Sequence, residues 1–157
     1  MKREAGFTLI ESLFAMAIFG IAMLVLMSLQ INSIRNDEET HRKDTATRLL
    51  SQAAEEVEFS NYKDTEIFSE KRKLSGWSSG YNSLLAVAEG AGSNNYEWMK
   101  SGDEKVVVYL GHVETTTAVN PPVHLRHVHL IAAWNSTTSN ERHTLARVMV
   151  KPENIFN

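Results

Sequence analysis

Leu13-Phe14-Ala15-Met16-Ala17-Ile18-Phe19-Gly20-Ile21-Ala22-Met23-Leu24-Val25-Leu26-Met27 is a run of 15 residues in which every side chain is apolar or absent. Read outward, the stretch 7–31 gives 25 predominantly apolar residues, interrupted by Thr8, Glu11, Ser12, Ser28 and Gln30. A helix needs about 20 such residues to cross a hydrocarbon layer, so this segment is long enough. From Arg35 onward charged and polar residues recur every few positions, and the two parts of the chain belong in different solvents. The whole chain, 157 residues with 22% charged side chains, leaves room for one globular domain after the apolar segment.

The flanks choose among a secretory signal, a core helix and a membrane helix. Small residues of the A-x-A type are missing after the apolar core, where Ser28 to Arg35 offers a poor signal-peptidase site. Lys2 and Arg3 stand before the run and, by the positive-inside tendency, hold the N-terminus in the cytoplasm. The C-terminal part then lies across the membrane. Glu11 is the odd residue, because an acid inside a spanning helix costs about 2.5–3.5 kcal/mol on insertion scales and persists mainly where it finds a partner.

Lys2-Arg3-Glu4-Ala5-Gly6 followed by Phe7-Thr8-Leu9-Ile10-Glu11-Ser12 resembles the processing site of type IV prepilins. The resemblance implies that prepilin peptidase cuts between Gly6 and Phe7, on the cytoplasmic side, and methylates the new Phe7 amine. It implies further that Glu11 is an assembly determinant, its carboxylate meeting the positive amine of Phe7. Gly6 suits a cut site because it has no side chain to obstruct an active site. Fibre-forming pilins often carry a proline near the outer end of the membrane segment, whereas this chain has Ser28 in that neighbourhood. A kink there would come from Gly20 or from back-bonding by Ser28.

No proline interrupts the chain from Phe7 to about Ser60, so one helix about 80 Å long, at about 1.5 Å per residue, is the simplest reading. Ala46, Leu49, Leu50, Ala53 and Val57 recur at spacings of three and four and form an apolar stripe. Loops with one short strand or helix are expected over 61–95, where Ser75-Gly76-Trp77-Ser78-Ser79-Gly80 is among the loosest pieces. Strands are expected at 105–111, 123–134 and 143–151. In the second, Val128, Leu130, Ala132 and Trp134 form an apolar face to cover the helix stripe, and His127 and His129 fall on the other, expected to face solvent. The resulting fold class is α+β: a long N-terminal helix, membrane-spanning in its first half, with a small antiparallel sheet packed on its second. Its expected divisions are a leader (1–6), a membrane and assembly half-helix (7–31), an exposed half-helix (32–60) and a periplasmic domain (61–157).

His124, His127, His129 and His143 are the candidate metal ligands, but no cysteine or carboxylate motif completes a set, and no metal or other cofactor is expected. No phosphate loop, nucleophile elbow or HExxH is present, so the chain reads as non-enzymatic. A formal charge of −3 argues against broad nucleic-acid binding, and Lys71-Arg72-Lys73 is a local basic patch that leaves a DNA-uptake role open. The partners implied are prepilin peptidase, other pilin or pseudopilin subunits, the inner-membrane assembly machinery and membrane lipid. Inner membrane, then pilus or pseudopilus, is the implied location. A minor subunit is favoured over the bulk fibre protein. A single-pass membrane protein whose periplasmic domain binds a ligand or metal through its histidines is the alternative.

Overall fold

The computed structural model describes residues 8–91, 94–103, 105–139 and 141–153. It divides into two compact units, Met1–Glu38 and Glu39–Asn157. Helix α1 runs over Leu9–Phe59, 51 residues without a break, as the lack of proline leads one to expect. In the first unit every described residue is exposed, among them Leu13, Phe14, Ile18, Phe19, Leu24 and Leu26.

In the second unit α1 buries Ala46, Leu49, Leu50, Ala53, Ala54 and Val57, the stripe read from the sequence with Ala54 added. Its alanines let the helix lie close to a four-stranded antiparallel sheet, made of β1 (Glu97–Lys100), β2 (Val106–Thr116), β3 (His124–Asn135) and β4 (Arg142–Pro152) in that spatial order. Register places Leu110 opposite Leu130 and Leu130 opposite Arg147. Strands present alternate residues to each face, so Val106, Val108, Leu110, Val128, Leu130, Ala132 and Trp134 all meet the helix stripe in one core. Two apolar periodicities, one helical and one of the strand, interlock here.

The opposite face of the sheet departs from expectation. Helix α2 (Trp77–Ala86) covers it, and Leu74, Leu84 and Ala88 pack there with Tyr109, Val113, Ile131 and Ala133 as a second core. His129 is therefore 1% exposed rather than solvated, with the Trp77 ring 4.7 Å and the Tyr81 ring 5.9 Å from its own. Trp77 also lies 4.2 Å from the ring of His127, which is half-buried.

Glycines explain how this second layer fits. A Cβ on Gly80 of α2 would stand 2.6 Å from Val113 Cγ2, and one on Gly111 of β2 would stand 2.5 Å from Leu74 Cδ1. Both are points of close approach, not chain breaks. Accordingly β2 continues through Gly111 to Thr116, past the end expected at residue 111.

Candidate processing and assembly site

Thr8 and Glu11 form a reciprocal pair at the start of α1. The Thr8 N–H and Thr8 Oγ1 donate to Glu11 Oε2 at 2.8 and 2.9 Å, while the Glu11 N–H donates to Thr8 Oγ1 at 3.4 Å. This is a capping box, in which the side chains at the first position and three residues later satisfy each other's free backbone donors. The spacing Thr8-x-x-Glu11 is plain in the sequence, but the expectation for Glu11 concerns membrane depth and the amine of Phe7, not a cap. Gly6 and Phe7, the residues of the expected cut, lie outside the described residues.

Beyond the cap, Leu9, Ile10, Leu13, Phe14 and Met16 are each more than half exposed on the chain itself. A core helix of a soluble domain would bury such side chains, and a contiguous apolar surface of this extent marks a membrane or subunit interface. Ser28 Oγ donates to the Leu24 carbonyl at 3.0 Å, the back-bond anticipated for it.

Glu39, the first residue of the second unit, ties α1 to the β3–β4 connection. It accepts from Trp134 Nε1 at 3.0 Å and from the Thr137 N–H at 3.1 Å, and His143 Nε2 stands 3.5 Å away. Burial opposes its ionisation, but these donors outweigh that cost and hold its carboxyl below the ordinary range. Arg42 Nη1 adds a bond to the Asn135 carbonyl at 2.6 Å. At the other end of the unit, Lys151 Nζ donates to the carbonyls of Val57 at 2.7 Å and Glu58 at 3.1 Å, and to that of Ser60, satisfying acceptors at the C-terminus of α1.

The buried Arg126 guanidinium bonds the Tyr62 carbonyl and Glu114 Oε1, and stacks 4.2 Å from the Tyr62 ring and 4.3 Å from that of Phe68. His112 lies in the same layer, its ring edge-on to Phe68; burial first, and the charge of Arg126 second, push its pKa down to about 4. Sequence reading passed over both, because polar residues on a strand read as solvent-facing.

The four candidate ligand histidines go to different tasks. His124 Nδ1 meets Thr116 Oγ1 at 3.0 Å, His127 Nε2 meets Thr115 Oγ1 at 2.9 Å, His129 is packed under aromatic rings, and His143 faces Glu39. Among the described residues no group of three His, Cys, Asp or Glu side chains is placed to hold a metal ion. Two of the basic triplet are likewise drawn into the fold. Arg72 donates to the Glu66 carbonyl at 2.9 Å and lies over Trp98, and Lys73 pairs with Glu70 and Glu114, each at 3.6 Å.

Residues 1–27 match the family model of the prokaryotic N-terminal methylation motif, which is the signature of type IV prepilins. The motif covers the basic residues, Gly6, Phe7, the capping pair and the apolar run to Met27. No curated protein and no solved structure matches the chain. The motif supports a type IV pilin-like precursor, processed by prepilin peptidase and assembled with other pilins, and its long apolar helix fits membrane anchoring. The motif suggests a structural role.

Proposed function

We propose that this chain is a minor subunit of a type IV pilus or pseudopilus, matured by cleavage between Gly6 and Phe7 and assembled through the first half of α1. The observation that carries the reading is the methylation motif running directly into a helix whose apolar side chains its own fold leaves uncovered. Lipid covers them before assembly, and the helices of neighbouring subunits cover them afterwards. The N-terminus lies in the cytoplasm and the sheet domain in the periplasm, in keeping with Lys2 and Arg3. The lack of cysteine, and Ser28 where fibre-forming pilins often have proline, favour a minor role.

Glu11 then acts in two states. In the membrane its carboxylate closes the box with Thr8, which satisfies part of its hydrogen-bonding need at the helix start. In the assembled fibre it meets the amine of Phe7 on an adjoining subunit, a charge pair shielded from water. Glu11→Gln keeps the size and can still accept from Thr8, so membrane insertion and cleavage persist while recruitment weakens. Co-purification of the glutamine variant with the assembled complex is the test; recovery equal to wild type, with cleavage intact, would remove Glu11 from assembly.

A further inference from the structure

The two edges of the sheet are unlike. β1 is four residues long and its pairing with β2 shifts register between Glu97 and Met99, two features that blunt an edge. β4 is 11 residues long, pairs with β3 from Arg142 to Pro152 and, among the described residues, has no strand on its other side. Its outward N–H and C=O groups form a template for one more strand.

A groove lies beside this edge. Val57 and Glu58 of α1 and Arg147, Met149, Val150, Lys151 and Pro152 of β4 line a cavity of about 500 Å³. Residues 58–62, Lys151 and Pro152 line a second cavity of about 390 Å³, which shares Glu58, Lys151 and Pro152 with the first. On the other face of β4, Val148 and Val150 are 43% and 54% exposed. Lys151 is spent on the end of α1, but the Arg147 side chain is exposed and makes no hydrogen bond or ion pair with any described residue.

We infer that the β4 edge is a docking site for an extended segment of a different polypeptide, added as a fifth strand, with a carboxylate opposite Arg147 and apolar side chains opposite Val148, Met149 and Val150. Charge decides against a second copy of this chain as the occupant. β4 carries Arg142, Arg147 and Lys151 and no acid, and antiparallel self-pairing about its middle sets Arg147 against Arg147, so its own duplicate brings like charges to the edge. An acidic strand brings opposite ones, and directly opposed charges count for or against cross-strand pairing.

The test uses the full chain in detergent micelles and does not depend on its maturation. Fluorescently labelled peptides of the form Thr-Val-Leu-Val-Glu-Thr, the analogue with lysine for glutamate, and the glutamate peptide N-methylated at alternate amides are titrated against wild type and Arg147→Glu. Circular dichroism confirms that the variant, changed at an exposed position, remains folded. Wild type should bind the glutamate peptide about fivefold more tightly than the lysine peptide. Arg147→Glu should invert that order, and N-methylation on the ladder side should weaken binding about tenfold. Binding indifferent to N-methylation, or unchanged in order by Arg147→Glu, would overturn the site. A concentration-dependent dimer of the chain that Arg147→Glu abolishes would put a second copy on the edge and overturn it equally.

Discussion

Glu39 and Trp134 are joined by a hydrogen bond of 3.0 Å from the indole nitrogen to the carboxylate, across 95 positions of sequence. Trp134 ends the apolar row of β3 and is 6% exposed, so its N–H is withdrawn from bulk water and has Glu39 as its acceptor. The same carboxylate receives the Thr137 N–H, so one side chain fixes both the end of β3 and the start of the loop to α1.

Glu39→Ala should therefore destabilise the sheet domain by about 1–3 kcal/mol, the cost of leaving a buried donor unsatisfied. Glu39→Gln keeps an acceptor and should lose less. Thermal unfolding followed by tryptophan fluorescence ranks the three proteins; an alanine variant as stable as wild type would mean that the contact carries no weight.

Acid should weaken the fold through its buried histidines. His112 is held near pKa 4 against an ordinary value of 6.5, and burial lowers His129 as well, so both bind protons more readily when unfolded. The contribution of His112 is whole above pH 6.5 and lost as pH falls toward 4, about 3 kcal/mol, and that of His129 has the same sign. Denaturant midpoints measured across that window should fall, and His112→Gln should flatten the slope. An unchanged slope would show that His112 is not buried as a neutral ring.

Gly80→Ala puts a methyl 2.6 Å from Val113 Cγ2 and 3.2 Å from Leu74 Cβ, closer than packed side chains allow. Loss of about 1–3 kcal/mol is expected as α2 lifts from the sheet. Near-ultraviolet circular dichroism should report weakened packing of Trp77 on the histidines; wild-type stability would contradict the tight seat of α2.

Gly6→Val should leave the chain uncleaved in the membrane fraction, since a β-branched side chain at the cut obstructs the peptidase. Normal maturation of this variant would refute the assigned processing site.

The helix and the main strands were legible because their periods are simple. Ala46, Leu49, Leu50, Ala53 and Val57 repeat on one helical face, and Val128, Leu130, Ala132 and Trp134 on one strand face, and the structure joins these two sets. The second layer was not legible, because its seat is made by Gly80 and Gly111, residues that locally signal turns and only in three dimensions reveal themselves as notches. His129 misled for a related reason: its burial is decided by Trp77 and Tyr81, about fifty positions earlier in the chain. At the N-terminus the motif was visible in full, but the cap that Thr8 forms with Glu11 emerged only from the structure, because Glu11 was read for the Phe7 amine and not for its neighbour three residues earlier.

The central claim is that the chain matures at Gly6–Phe7, and the mass of its N-terminal peptide tests it most directly. Protein expressed with its native prepilin peptidase is extracted from membranes, digested and measured by tandem mass spectrometry. The account predicts a terminal peptide beginning at Phe7 and carrying one added methyl on its amine. A terminal peptide that still contains Lys2, Arg3 and Gly6, in a membrane where other prepilins are processed, would contradict it.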